Sequence, residues 1–150
     1  MRKTCSICEN RLYLTLYKKG TSAACRSFII YCRKNNLAGK GTRYPNRLGL
    51  TVSTKIGCAV KRNRCKRVFR EAYRLMEDRI PDGWDIVLVA RSVTPGLPLN
   101  TVKKDLAYAL KKLGVTVDKL SVDESRNSTT SEKDELPIKE VTQNTEGRNI

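Results

Sequence analysis

The chain has 150 residues, enough for one domain with a buried core, and carries 30 Lys and Arg residues against 15 Asp and Glu residues. The positive charge is concentrated in residues 1–120, which contain 26 basic and 8 acidic residues, whereas residues 121–150 contain 4 basic and 7 acidic residues. Such an excess predicts a polyanionic partner, and the longest apolar run, at 86–90, is too short to span a membrane.

The absence of a signal-peptide pattern and of a membrane-spanning run predicts a cytoplasmic protein, in which the six cysteines would be reduced thiols. Cys5 and Cys8 have the spacing of one half of a zinc site. The sequence has no His and no second pair of ligands at a matching spacing. We therefore expect free thiols and no structural metal.

The first predicted elements lie between residues 10 and 53. Residues 10–19 end at Gly20 and pair apolar side chains four residues apart, which favours a short helix, although the alternation of Leu with Tyr and Thr also fits a strand. Residues 26–33 are β-branched and aromatic and predict a strand. A turn-rich loop follows, and residues 47–53 predict a half-buried strand with alternating apolar side chains.

The later elements are equally distinct. Residues 85–91 are apolar on both faces and predict an interior strand. A helix is predicted to begin near Pro98 and to end at Gly114. After Leu120 the sequence is rich in Ser, Thr, Asn and acids without apolar periodicity, so we predict a folded domain over 1–120 and a disordered, acidic tail over 121–150.

Residues 53–75 (STKIGCAVKRNRCKRVFREAYRL) contain eight basic residues and one acid, Glu71. On a helix of about 100° per residue, one face is apolar and consists of Cys65, Val68, Phe69, Ala72 and Met76. The opposite face carries Asn63, Lys66, Arg67, Arg70 and Arg74, with Arg62 and Arg64 beside the apolar face. The alternative to a binding surface is a solvated face, but like charges four residues apart repel, and a merely soluble helix would mix signs. The pattern therefore predicts an anion-binding helix, and its preference for Arg favours phosphate.

The order Ser53-x-Lys55-x-Gly57-x-Ala59-Val60-x-Arg62-Asn63-Arg64-x-Lys66-Arg67-x-x-Arg70-Glu71 resembles the signature of the bacterial ribonuclease P protein component. The resemblance extends over about residues 10–114. It implies an α/β (α+β) two-layer sandwich, ribosomal protein S5 domain 2-like, with a four-stranded sheet and a left-handed βαβ crossover that holds the basic helix. Only three strands are visible in the sequence, so the fourth rests on the resemblance. Cys58, where Asn is usual, and Cys65, where an aliphatic residue is usual, depart from the family pattern.

The resemblance also implies a function. The family protein is the accessory subunit of an endoribonuclease, one protein with one catalytic RNA, that removes the 5′ leader from precursor tRNA. It implies Mg²⁺ held by the RNA and no cofactor bound tightly by the protein. The implied RNA-binding residues are Lys55, Lys61, Arg62, Asn63, Arg64, Lys66, Arg67, Arg70 and Arg74. The implied leader cleft consists of Tyr13, Tyr17, Phe28 and Tyr31, whose rings would stack on unpaired bases. Ordinary core packing is the alternative for these aromatic residues, above all for Phe28.

The sequence argues against a nuclease site in the protein itself. It has no His, and the acids of residues 1–120 are scattered, with Glu77 and Asp78 the only adjacent pair. We therefore expect no catalytic residue in this chain. The alternative function is a stand-alone RNA-binding or ribosome-associated protein with the same fold, which would not stimulate a ribonuclease P RNA.

Overall fold

The computed structural model describes residues 1–116, so the predicted tail over 121–150 lies outside them. The strands are β1 (Thr4–Ser6), β2 (Thr21–Ala24), β3 (Phe28–Lys34), β4 (Asn46–Thr51) and β5 (Trp84–Ala90). The helices are α1 (Asn10–Lys19), α2 (Ala59–Met76) and α3 (Leu99–Lys112). These elements confirm the predicted α+β class, and residues 10–19 form a helix rather than a strand. Within residues 1–116, no helix has the length and apolarity needed to cross a membrane.

The five strands form one sheet in the order β1-β4-β5-β3-β2. β5 lies in the centre, parallel to β4 and antiparallel to β3, as its apolar run predicts. β4, α2 and β5 therefore form a βαβ unit that carries the basic helix. The sheet has five strands rather than the expected four, because residues 4–6 add a short strand parallel to β4.

The two faces of the sheet are covered by different helices. α1 packs on one face through Leu16, which contacts Val87 of β5. α2 and α3 pack on the other face, where Phe69 and Leu106 join Leu88 in the main core. Because successive side chains of a strand point to opposite faces, β5 supplies apolar residues to both layers.

α2 begins after Gly57, whose φ of 140° is open to few residues other than glycine. The buried residues of α2 are Cys65, Phe69, Ala72, Tyr73 and Met76. Four of them belong to the predicted apolar face, and Val68 is half-buried. Tyr73 is the addition, and its hydroxyl lies 3.2 Å from Oγ1 of Thr4 in β1. The core anchors α2 in the orientation that the sequence predicts.

The buried carboxylate of Glu77, just after α2, holds the N-terminal strand. The backbone N–H groups of Arg2 and Lys3 donate to its two oxygens at 2.8 and 2.9 Å. Burial alone would raise the pKa of Glu77, but these N–H groups, the Thr4 hydroxyl and the N-terminal charge together hold the pKa below its ordinary value. This contact ties the residues just before β1 to the segment that follows α2.

Candidate nucleic-acid interface

The outer face of α2 and the turn before it carry the predicted basic residues. Arg62 and Lys66 are half-buried. The other seven residues of the predicted set are exposed: Lys55, Lys61, Asn63, Arg64, Arg67, Arg70 and Arg74. We call these nine residues the basic face. Lys55 lies in the short 3-10 turn Thr54–Ile56, where the hydroxyl of Ser53 accepts its backbone N–H. The helix thus presents to solvent the charges that its sequence places opposite the core.

Arg74 differs from the rest of the basic face because it already has an acidic partner. Its Nε and Nη2 donate to the two carboxylate oxygens of Glu71 at 2.9 and 2.6 Å, and this contact lowers the pKa of Glu71. Within residues 1–116, no other member of the basic face forms a salt bridge. The remaining cations are therefore available to an external anion.

Arg62 has an unmet hydrogen-bonding demand. Its Nε is buried and has no hydrogen-bond acceptor in the described part of the chain. A buried donor without a partner costs about 1–3 kcal/mol. An acceptor supplied from outside the protein, such as a phosphate oxygen, would remove that penalty.

Cys58 is the exposed residue immediately before α2. The backbone N–H of Lys61, in the first turn, lowers the pKa of the Cys58 thiol. An Asn here would offer these N–H groups a side-chain oxygen, which is a stronger acceptor than sulfur. Cys58 thus occupies the N-cap position of α2 without a side-chain capping hydrogen bond.

The six cysteines are free, as expected. In the part of the chain that the structure describes, no three Cys, Asp or Glu side chains are grouped so that they could hold a metal ion. The acids have other partners: Asp85 pairs with Arg47, and Asp105 accepts from the backbone N–H of Ser27. Asp85 and Asp105 therefore serve structural contacts in the described chain.

Tyr13, Tyr17 and Tyr31 form one cluster on the α1 side of the sheet, which we call the tyrosine cluster. The rings of Tyr17 and Tyr31 meet edge to face, with centroids 5.0 Å apart and planes at 79°. The rings of Tyr13 and Tyr17 lie 6.4 Å apart at 40°. Tyr17 is 38% exposed, and its hydroxyl hydrogen-bonds with Oγ1 of Thr51 at 2.9 Å. The cluster is thus fixed in place yet accessible to a base.

Phe28 is not part of this cluster. It is fully buried on the other face of the sheet, where its ring meets Phe69 edge to face at 5.7 Å. Residues 28 and 31 are separated by an odd number of positions in one strand, so their side chains point to opposite faces. The predicted leader set is corrected accordingly to the three tyrosines, with Phe28 a core residue.

A cleft of about 160 Å³ is lined by members of both predicted sets. Tyr13 of the tyrosine cluster forms one part of its wall, and Lys66 and Arg70 of the basic face form another. The remaining lining residues are Met1, Ser6, Ile7, Leu48 and Leu50. Burial beside β4 raises the pKa of Tyr13, so its hydroxyl stays neutral at physiological pH. The two surfaces, predicted separately, therefore meet at one cleft.

The predicted site residues do not include three residues that support the site: Gly49, Thr51 and Glu77. Gly49 lies beneath Tyr13, and Thr51 bonds Tyr17. A glycine inside a strand pattern is a signal of close approach by another group, and Gly49 could have been found in this way. Nothing local distinguishes Thr51 or Glu77, because their partners are remote in sequence.

The family model for ribonuclease P matches residues 1–114 of this chain. The ribonuclease P protein component of Oceanobacillus iheyensis is 37% identical over 115 residues, which cover 77% of this chain and 91% of the relative. That of Syntrophus aciditrophicus is 38% identical over 112 residues, covering 75% and 89%.

Solved structures give the same result. The RNase P protein of Staphylococcus aureus superimposes with a TM-score of 0.62 at 34% identity, covering 75% of this chain and 97% of that one. The RNase P protein of Thermotoga maritima gives a TM-score of 0.57 at 35% identity, covering 68% and 91%. The family model thus spans the basic helix and the sheet, and the solved structures share the fold over 68–75% of the chain.

Proposed function

The chain belongs to the ribonuclease P protein family, and from that premise we propose that it binds the catalytic RNA of ribonuclease P and the 5′ leader of precursor tRNA. It would act as the accessory subunit, one protein with one RNA, in removing the leader to give the mature 5′ end. The observation that carries the proposal is the cleft where Tyr13 meets Lys66 and Arg70. It provides a ring for an unpaired base next to cations for phosphate.

The basic face is assigned to the catalytic RNA. Guanidinium groups pair with phosphate through two parallel hydrogen bonds, and the face carries four arginines besides the paired Arg74. The unpartnered Nε of Arg62 supports the same assignment, since a phosphate oxygen would satisfy it. This surface would set the position of the protein on the RNA.

The tyrosine cluster is assigned to the leader. Stacking on an aromatic ring contributes about 1–3 kcal/mol per base and makes little demand on base identity. That property suits a single strand whose sequence differs from one precursor tRNA to the next. The leader would reach the cluster through the cleft, beside the RNA-bound basic face.

We assign cleavage of the phosphodiester bond to the RNA, which would also bind the Mg²⁺ ions. The complex would act in the cytoplasm. The acids of the described chain support this assignment, because they are scattered and several already serve structural contacts: Glu71 pairs with Arg74, and Glu77 holds β1. The protein would contribute by positioning and by neutralising phosphate charge, which lowers the Mg²⁺ concentration that the RNA needs.

The test is cleavage of precursor tRNA by a cognate ribonuclease P RNA at low Mg²⁺, with and without the full chain. We expect clear stimulation by the protein, reduced in Arg67→Gln. Lys40→Gln is the matched control, because Lys40 is an exposed cation in the loop before β4 and does not belong to the basic face. Binding of RNA without any stimulation would instead indicate a stand-alone RNA-binding protein, and would overturn the proposal.

A further inference from the structure

The outward side of α3 carries a second cationic surface with an aromatic ring at its centre. On a helix of about 100° per residue, Lys104, Tyr108 and Lys111 lie about 140–200° from the buried Leu106. All three are exposed, and Tyr108 is 54% exposed. Lys112 is exposed beside them. We call Lys104, Tyr108, Lys111 and Lys112 the α3 face.

No acid balances this surface within the described chain. The only acid of α3 is Asp105, and its carboxylate is turned to the loop before β3, where it accepts from the backbone N–H of Ser27 at 3.1 Å and from the Ser27 hydroxyl. The lysines of the α3 face form no salt bridge with residues 1–116. An exposed tyrosine among unpaired lysines provides both a stacking ring and phosphate partners.

The chemistry favours RNA over a protein as the occupant of the α3 face. Lysine is depleted in protein–protein interfaces, and the surface lacks an apolar centre other than one ring. Single-stranded or bulged RNA uses both elements, because its phosphates pair with cations while its unpaired bases stack on aromatic rings.

We propose that the α3 face is a second contact for the catalytic RNA, beside the basic face of α2. The proposal rests on the function proposed above. α2 and α3 pack side by side in the core on one face of the sheet, whereas the tyrosine cluster lies on the opposite face. An RNA bound to α2 can therefore contact α3 on the same side of the sheet. A leader bound to the tyrosine cluster lies on the opposite side of the sheet from α3. An unpaired base of the catalytic RNA would stack on Tyr108, with flanking phosphates on Lys104 and Lys111.

The test measures binding of the full chain to the catalytic RNA alone, without tRNA, over a range of salt concentrations. The double variant Lys104→Gln/Lys111→Gln should flatten the plot of log K against log salt by about two units, close to one for each lost phosphate contact. Tyr108→Ala should weaken binding about 5- to 150-fold, and Tyr108→Phe should retain most of the affinity.

Matched controls lie on the other side of the sheet. Lys18→Gln/Lys19→Gln removes two exposed cations from the end of α1, and Leu14→Ala truncates a side chain that is 53% exposed. Both should leave binding of the catalytic RNA unchanged. Circular dichroism and thermal melting establish that each variant is folded.

Three outcomes would overturn the inference. If the α3 variants bind like the parent while Arg67→Gln binds weakly, the α3 face is only solvated, and the proposed function stands. If Arg67→Gln also binds like the parent, the assignment of the basic face fails as well. If a parallel titration with precursor tRNA alone shows a loss of affinity in α3 variants that keep their affinity for the catalytic RNA, the α3 face binds the substrate instead.

Discussion

The ring of Tyr13 lies directly against the backbone of Gly49, so that a Cβ atom at position 49 would come within 2.7 Å of Cε1 and 2.8 Å of the hydroxyl oxygen of the tyrosine. No side chain fits between them. The glycine therefore lets the end of the Tyr13 ring lie close to β4, and Tyr13 lines the cleft that the tyrosine cluster shares with the basic face.

Gly49→Ala should displace the ring of Tyr13 and weaken binding of precursor tRNA. The displaced atoms are the free end of a side chain, so the free energy of unfolding should change by less than about 1 kcal/mol. Gly96→Ala is the control, because a Cβ there meets nothing within 4 Å. Equal affinities of Gly49→Ala and the parent for precursor tRNA would show that the position of Tyr13 does not matter for the leader.

Tyr17→Ala should weaken binding of precursor tRNA and leave binding of mature tRNA unchanged. The expected loss is about 1–3 kcal/mol if one base stacks on the ring. Tyr17→Phe removes the hydrogen bond with Thr51 but keeps the ring, so it should bind nearly like the parent. Tyr31→Ala should act in the same direction as Tyr17→Ala. A parallel loss for mature tRNA would identify these rings as structural.

Arg67→Gln and Arg74→Gln should differ although both remove one exposed cation from α2. Arg67 forms no salt bridge within residues 1–116, so its loss should flatten the salt dependence of RNA binding by about one unit. Arg74 is held by Glu71 and should contribute less. Titration of both variants with the catalytic RNA at several salt concentrations measures the slopes. Identical slopes for the two variants would contradict the distinction.

The sequence predicts α2 well because one short segment contains both of its determinants, an apolar face for the core and charges opposite. The sequence also contains the information that separates Phe28 from Tyr31, since an odd spacing in a strand places two side chains on opposite faces. The resemblance to the family, taken alone, places both residues in the leader cleft. β1 is different: residues 4–6 have no strand pattern, and their pairing with β4 depends on Glu77 and Tyr73, which are far along the chain. A contact of that kind leaves no periodic signal.

Glu77→Gln should destabilise the fold, because the two N–H groups of Arg2 and Lys3 donate to two carboxylate oxygens and an amide offers only one. The expected loss is about 1–3 kcal/mol at neutral pH. Urea unfolding measures it, and Asp78→Asn, which removes an exposed charge from the next residue, is the control. The cleft should also widen, since Met1, Ser6 and Ile7 line it.

The pH dependence provides the sharper test of Glu77. Its folded pKa is depressed, so its contribution to the free energy of unfolding is present above the unfolded pKa of about 4.3 and is lost as the pH falls through the folded value. Glu77→Gln has no such group. The stability difference between the parent and Glu77→Gln should therefore be constant from about pH 7 to pH 5 and shrink below about pH 4. A difference that persists unchanged at pH 3 would mean that the carboxylate charge does not hold β1.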